Sequence, residues 1–214
     1  MFSICKIEKQ KRISFFFIAI ELGIMRDSFF SENELRKVGF SNIGTNVFLS
    51  RKASIFSPEK IEIGNNVRID DFCILSGKIK IDSYVHIAAY SALFGGKAGI
   101  IIRDYANVSS RVCIYALSDD YSGKTMTNPM VPEKYKNVIH DSVMINKHVI
   151  IGSGSTVLPG VTLSEGTAVG AMSLVNRSTE EWCIYAGIPA RKIKERSKDL
   201  LCFESLFERN ERIV

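Results

Sequence analysis

The feature that most constrains this chain is a six-residue period in its aliphatic residues. Counting in sixes from Ile63 meets Ile69, Leu75, Ile81, Ile87 and Leu93, and counting from Ile145 meets Ile151, Val157, Leu163, Val169 and Val175. A short middle run contributes Ile102, Val108 and Ile114. Four residues after most of these stands a smaller one, as at Val67, Cys73, Val85, Ser91, Val149, Ser155 and Val161. Side chains alternate across a strand, so the small residue and the next aliphatic residue both point inward and the residue between them points out. Gly64-Asn65-Asn66, Gly152-Ser153-Gly154 and Glu165-Gly166 supply tight corners between the strands. Units of this size cannot bury a face alone and must stack on their neighbours. The period predicts a mainly β fold, a left-handed parallel β-helix with three repeats to a turn, from about Ile43 to Val175.

A repeat array needs atypical segments over its ends. The chain divides into a capping segment at 1–42, the β-helix at 43–189 and a C-terminal helix at 190–214. Ser31-Glu32-Asn33-Glu34 has the spacing of a capping box and predicts a short helix ahead of the first coils. Downstream, Ile193, Leu200, Leu201, Phe203, Leu206 and Phe207 fall on one broad stripe if Ala190 to Arg212 is helical. The apolar stretch from Ile13 to Met25 is broken by Glu21 and is shorter than the roughly 20 residues that span a bilayer, so it is expected to cover the solenoid rather than insert into a membrane. Between Tyr115 and Val143 the period fails, and a polar segment bearing Pro129 and Pro132 is expected to leave the prism as an extruded loop. Loops of that length in a compact scaffold are commonly functional.

Composition narrows the class. With 46% hydrophobic residues the chain can bury a core, and a formal charge of +5, concentrated near the ends, is too weak to argue for nucleic acid. Five widely spaced cysteines without a paired metal-binding pattern fit a reducing, cytoplasmic compartment and no metal.

Three segments go beyond the bare repeat. The run from Gly152 to Val161, with Val169-Gly170-Ala171-Met172-Ser173-Leu174-Val175 and Tyr185-Ala186-Gly187-Ile188-Pro189-Ala190, resembles the hexapeptide-repeat acyltransferases. The similarity is greatest to the galactoside and maltose O-acetyltransferase branch and to the sugar acetyltransferases of surface-polysaccharide pathways. It covers roughly Ile43 to Arg196 and implies a homotrimer with active sites between prisms, using acetyl-coenzyme A. By the same resemblance Gly152, Ser153, Gly170, Ala171 and Ser173 match corners along the pantetheine arm, and Arg191, Lys192, Lys194 and Arg196 fall where basic side chains meet the coenzyme's phosphates.

Acetyl transfer from a thioester needs a nucleophile, a proton acceptor and a donor to the developing oxyanion. Histidine suits the acceptor role near neutral pH, and the chain has His86, His140 and His148. His148 sits at a corner and reads as a surface turn residue. His86 lies between inward-facing Val85 and Ile87, so its ring must face out, and Tyr84-Val85-His86-Ile87-Ala88 resembles a segment of sugar N-acetyltransferases; it is the expected base. Where the galactoside branch carries its catalytic histidine in the loop, this chain reads Ser118-Asp119-Asp120-Tyr121-Ser122-Gly123. Asp119 and Asp120 are poor bases for a hydroxyl but good holders of an ammonium group, with Tyr121 and His140 as further substrate contacts. The expected activity is N-acetylation of a nucleotide-linked amino sugar for O-antigen or other surface polysaccharide. O-acetylation of a sugar hydroxyl in lipopolysaccharide or capsule precursors is the alternative within the class, and a non-catalytic scaffold the alternative outside it.

Overall fold

The computed structural model describes residues 28–211; the apolar stretch at 13–25 lies outside them. The six-residue period becomes a parallel solenoid of about seven turns. Its register shows the coil length directly: Arg68 pairs with His86, Ile150 with Ala168 and Thr156 with Leu174, each eighteen residues on. Three flat walls result. The first stacks the strands Phe48–Leu49, Arg68–Ile69, His86–Ile87, Asn107–Val108, Ile150–Ile151, Ala168–Val169 and Cys183–Ala186. The second runs from Ser54–Phe56 through the first half of Ile74–Ile81 and Ala92–Ile102 to Cys113–Tyr115, Thr156–Val157 and Leu174–Val175. The third uses the second halves of those two long strands, with Asn42–Ile43 and Ile61–Ile63 before them and Val143–Ile145 and Thr162–Leu163 after.

The inward residues make the core. Ile63, Ile69, Leu75, Ile81, Ile87, Leu93, Ile114, Ile145 and Ile151 are fully buried in one continuous cluster, and each such side chain contributes about 1.5–3 kcal/mol. The small inward residues fit where a coil turns. Ser91 Oγ donates to the Ser109 carbonyl at 2.9 Å and Ser155 Oγ to the Gly170 carbonyl at 3.0 Å, so neither hydroxyl is stranded in the core. Coil stacking also decides some corners: a Cβ on Gly152 would stand 2.5 Å from the Ala171 nitrogen, so only glycine lets these two coils close.

The ends are covered as the repeat requires. Helix α1 (Glu32–Val38) starts at the expected capping box, with the Ser31 N–H donating to Glu34 Oε2 at 2.8 Å. Arg51 completes the cap with two hydrogen bonds to the same carboxylate, and together these hold Glu34 down to about 2. Helix α2 (Leu200–Glu211) packs along one corner of the prism. There Tyr84, Tyr105 and His148 form a stack, with ring centroids 5.1 and 5.3 Å apart, and Phe207 of α2 meets Tyr84 edge-on.

The apolar stripe predicts helix from Ala190, but Arg191–Glu195 is a strand, antiparallel to Cys183–Ala186. The unpaired edge of the last coil offers a ladder of backbone hydrogen bonds, and that tertiary partner outweighs the helical preference of Arg-Lys-Ile-Lys-Glu. His148 is likewise no surface residue: its side chain is 7% exposed and its Nε2 lies 2.9 Å from Glu204 of α2.

Candidate active site

One corner of the prism, between the second and third walls, grows through successive coils. It is crossed by Gly77–Lys78 in one turn and by Gly95–Gly99 in the next, and then by the whole of 116–142. The extruded loop is therefore slightly shorter than the sequence reading, because Tyr115 and Val143 still belong to walls. The loop leaves and returns as an antiparallel pair, Leu117–Ser118 against Ile139–His140, and Met126 bridges to Lys136 further out. It folds back over the second wall and encloses a cleft of about 680 Å³.

The cleft has a distinct chemistry on each side. The wall side is apolar: Phe94 and Tyr115 stack with centroids 5.1 Å apart, and Leu158 and Pro159 continue the surface. Burial above all, with Cys113 beside it, pushes the Tyr115 phenol up, which keeps it a hydrogen-bond donor. The loop side carries Asp119, Tyr121, Glu133, Lys136 and His140, and Lys97 joins them from the preceding coil. Lys136 is notable because its side chain is only 6% exposed, with Nζ 3.0 Å from the largely exposed Glu133. Neither Lys97 nor Lys136 was singled out from sequence, since an isolated lysine in a polar loop carries no pattern.

The two loop aspartates separate. Asp119 faces the cleft. Asp120 is committed to the turn: Oδ1 accepts the Ser122 N–H at 2.8 Å and Oδ2 the Thr125 hydroxyl at 2.9 Å, and these bonds hold its carboxyl below the usual range. Its role is to shape the loop, not to meet substrate. Tyr121 lines the cleft mouth and is 93% exposed.

His86 faces outward from the first wall, as its phase requires, but it is not in this cleft. Its Nε2 lies 2.8 Å from Asp70 Oδ2 and its Nδ1 3.2 Å from Asn107 Oδ1. Asp70 in turn takes a 2.6 Å bond from Arg68. Both ring nitrogens are engaged along the wall, in a row that ties three coils together.

The coenzyme candidates also divide. Gly152, Ser153, Gly170 and Ala171 line the corner between the first and second walls, where Ser153 Oγ accepts from Ser110 at 3.3 Å. Ser173 does not belong with them: it is 2% exposed, and its hydroxyl donates to the Gly170 carbonyl and accepts the Gly187 N–H. Among the basic residues, Arg196 donates to the carbonyls of His148 and Gly166, both at 2.8 Å, and so clamps two coils instead of offering its charge to a phosphate. Lys192 pairs with Glu180 at 2.7 Å and Arg191 donates to its neighbour's carbonyl, whereas Lys194 stands exposed on the outer strand. Among the described residues no group of three or more His, Cys, Asp or Glu is placed to hold a metal ion, and no helix is long and apolar enough to cross a membrane.

The solenoid matches the fold of the left-handed β-helix acyltransferases. No family model matches the chain. The dTDP-4-amino-4,6-dideoxy-D-glucose acyltransferase of Escherichia coli is 50% identical over 184 residues, 85% of this chain and 95% of that protein. AntD, an N-acyltransferase from Bacillus cereus solved with dTDP-4-amino-4,6-dideoxyglucose and coenzyme A, superposes with a TM-score of 0.84 at 53% identity, over 86% of this chain and 98% of that one. A putative lipopolysaccharide biosynthesis O-acetyl transferase of Escherichia coli, WbbJ, is 27% identical over 73% of this chain and 80% of its own. The chain belongs to the hexapeptide-repeat acyltransferases, in the branch of the dTDP-4-amino-4,6-dideoxy-D-glucose acyltransferase.

Proposed function

We propose that this enzyme transfers an acyl group from acyl-coenzyme A to the amino group of a dTDP-linked 4-amino-4,6-dideoxy sugar, for use in a surface polysaccharide made in the cytoplasm. The observation that carries the reading is identity of about half, running through the solenoid and its loop, with one protein named for that reaction and another solved with that sugar nucleotide. The expected acetyl donor widens to an acyl donor, because AntD has also been solved with 3-hydroxybutyryl-CoA. O-acetylation is the weaker reading, since the O-acetyl transferase relative shares only 27%.

Within the cleft, Asp119 holds the acceptor's ammonium group and takes the proton that the nitrogen must lose before its lone pair attacks the thioester carbonyl, coenzyme A leaving as the thiol. AntD was solved as variants of a serine and of an aspartate ten positions after it; here Ser109 and Asp119, and Ser110 and Asp120, have that spacing. Of the two aspartates only Asp119 lines the cleft, while both carboxylate oxygens of Asp120 are taken up by its own turn. The coenzyme follows the corner at Gly152, Ser153, Gly170 and Ala171, with Lys194 left for its phosphates. In a single chain that corner and the loop cleft stand at opposite edges of the second wall, which supports a homotrimer in which one prism brings its corner to its neighbour's loop.

The test is a turnover assay with dTDP-4-amino-4,6-dideoxyglucose and a panel of acyl-coenzyme A donors, read by thiol release and by product mass. Acylated amine is the expected product. Equal turnover of the matching sugar with a hydroxyl in place of the amine would overturn the N-acyl reading.

A further inference from the structure

Resting on that reading, we infer that His140 serves the cleft as a hydrogen-bond donor, through Nε2–H, to an oxygen of the acceptor, and that Gly96 seats it for this purpose. His140 lines the cleft beside Asp119, and the pairing of Leu117 with His140 fixes the backbone that carries it. Its Nδ1 is buried and has no hydrogen-bond partner among the described residues. What it faces instead is Gly96, where a Cβ would stand only 3.2 Å from Nδ1, and Leu117, whose side chain lies equally close to the same point.

The tautomer follows from that seat. A proton on Nδ1 would meet no acceptor among the described residues. The lone pair at Nδ1 is the cheaper arrangement, so the proton sits on Nε2. A ring in that tautomer donates a hydrogen bond through Nε2. Asp119 and His140 then read different parts of one ligand: a carboxylate for the ammonium group, and an N–H donor for a lone-pair oxygen on the sugar or on its diphosphate. A ring held in this way also explains Gly96, which has φ +52° and contributes no side chain to the loop base.

Nitrogen-15 NMR of the folded protein at pH 7 tests the tautomer without any turnover. A pyridine-type Nδ1 and a pyrrole-type Nε2 at His140 are expected, and the reverse tautomer or an imidazolium would overturn the inference. Function is tested with His140→Gln, whose amide reaches the place of Nε2, and with His140→Ala. The glutamine variant should keep kcat/KM within about threefold of wild type and leave the acidic limb of the pH profile in place, while alanine loses roughly tenfold to a hundredfold, the worth of one buried hydrogen bond. Glutamine as damaging as alanine, with the acidic limb lost, would make His140 a base and refute the donor role. Calorimetry with dTDP alone and with the full sugar nucleotide identifies the oxygen. Weakening of both by His140→Ala puts it on the diphosphate, weakening of the sugar nucleotide alone puts it on the sugar, and weakening of neither refutes the contact. An enzyme inactive on every amino-sugar nucleotide would instead defeat the functional reading, while the NMR result would stand.

Discussion

Adjacent residues of the same type can have opposite jobs, and Asp119 and Asp120 show why hydrogen-bond accounting decides between them. Both carboxylate oxygens of Asp120 are occupied by the Ser122 and Thr125 groups of its own turn, whereas Asp119 faces the cleft. Asp119→Asn should raise KM for the amino-sugar nucleotide about tenfold or more, since a charge-assisted bond is worth roughly 1.5–3 kcal/mol. Asp120→Asn should leave KM near wild type and act on loop order, seen as faster protease cleavage between Asp120 and Thr125. Equal kinetic damage from both would sink the division of roles. His86 follows the same logic. With Asp70 and Asn107 on its two nitrogens, His86→Gln should retain turnover at neutral pH within about threefold, because glutamine keeps a wall contact and no proton transfer is lost.

Capping elements make predictions whose sign depends on pH. Glu34 stands at about 2 because Arg51 and Ser31 bond its charged form. A carboxyl lowered on folding stabilises the native state fully above its ordinary value near 4.5, and that contribution fades as pH falls from there to about 2. Glu34→Gln should therefore lower Tm at pH 7 and make no difference near pH 2; a constant gap across the range would show that the charge is irrelevant to the cap. At the other end, burial opposes ionisation of Glu204, yet hydrogen bonds from Lys147 and His148 outweigh it and hold the carboxyl below its usual range. Glu204→Gln should loosen α2 from the Tyr84, Tyr105 and His148 corner, read as faster hydrogen exchange across Leu200–Glu211 with the coils unaffected. The two caps were unequally legible in sequence. The α1 capping box is a local signal and could be read; Arg191–Glu195 becomes a strand only because the last coil leaves an edge to pair with, which no local pattern encodes. The same distinction runs through the site. His86 could be placed outward by phase alone, but Asp70 and Asn107 reach it from neighbouring coils, sixteen and twenty-one residues away. Likewise the seat of His140 on Gly96 joins positions that only the loop's return brings together.

Because each coil touches only its neighbours, the whole molecule keeps its functions apart along and around the prism. The corner at Gly152 and Ala171 and the cleft at Asp119 lie at different edges of the second wall. If neighbouring prisms bring the two together, one active site needs the corner of one chain and the loop of another. A bulky Ala171→Trp on that exposed corner should block the coenzyme, and Asp119→Asn should weaken the acceptor site, so each variant alone, assayed with the sugar nucleotide below its KM, should give about a tenth or less of the wild-type rate with normal folding. Mixed by co-expression or by refolding together, the two should form hybrid trimers, some of whose interfaces pair an intact corner with an intact loop. Activity of the mixture should then rise well above that of either parent, and scale with the fraction of hybrids separated by a charge tag. A site contained in one chain predicts no such recovery, because every chain in the mixture would carry a disabling change. A monomer by light scattering, together with no recovery on mixing, would reject the shared site and require the coenzyme to reach the loop cleft across the second wall of a single prism.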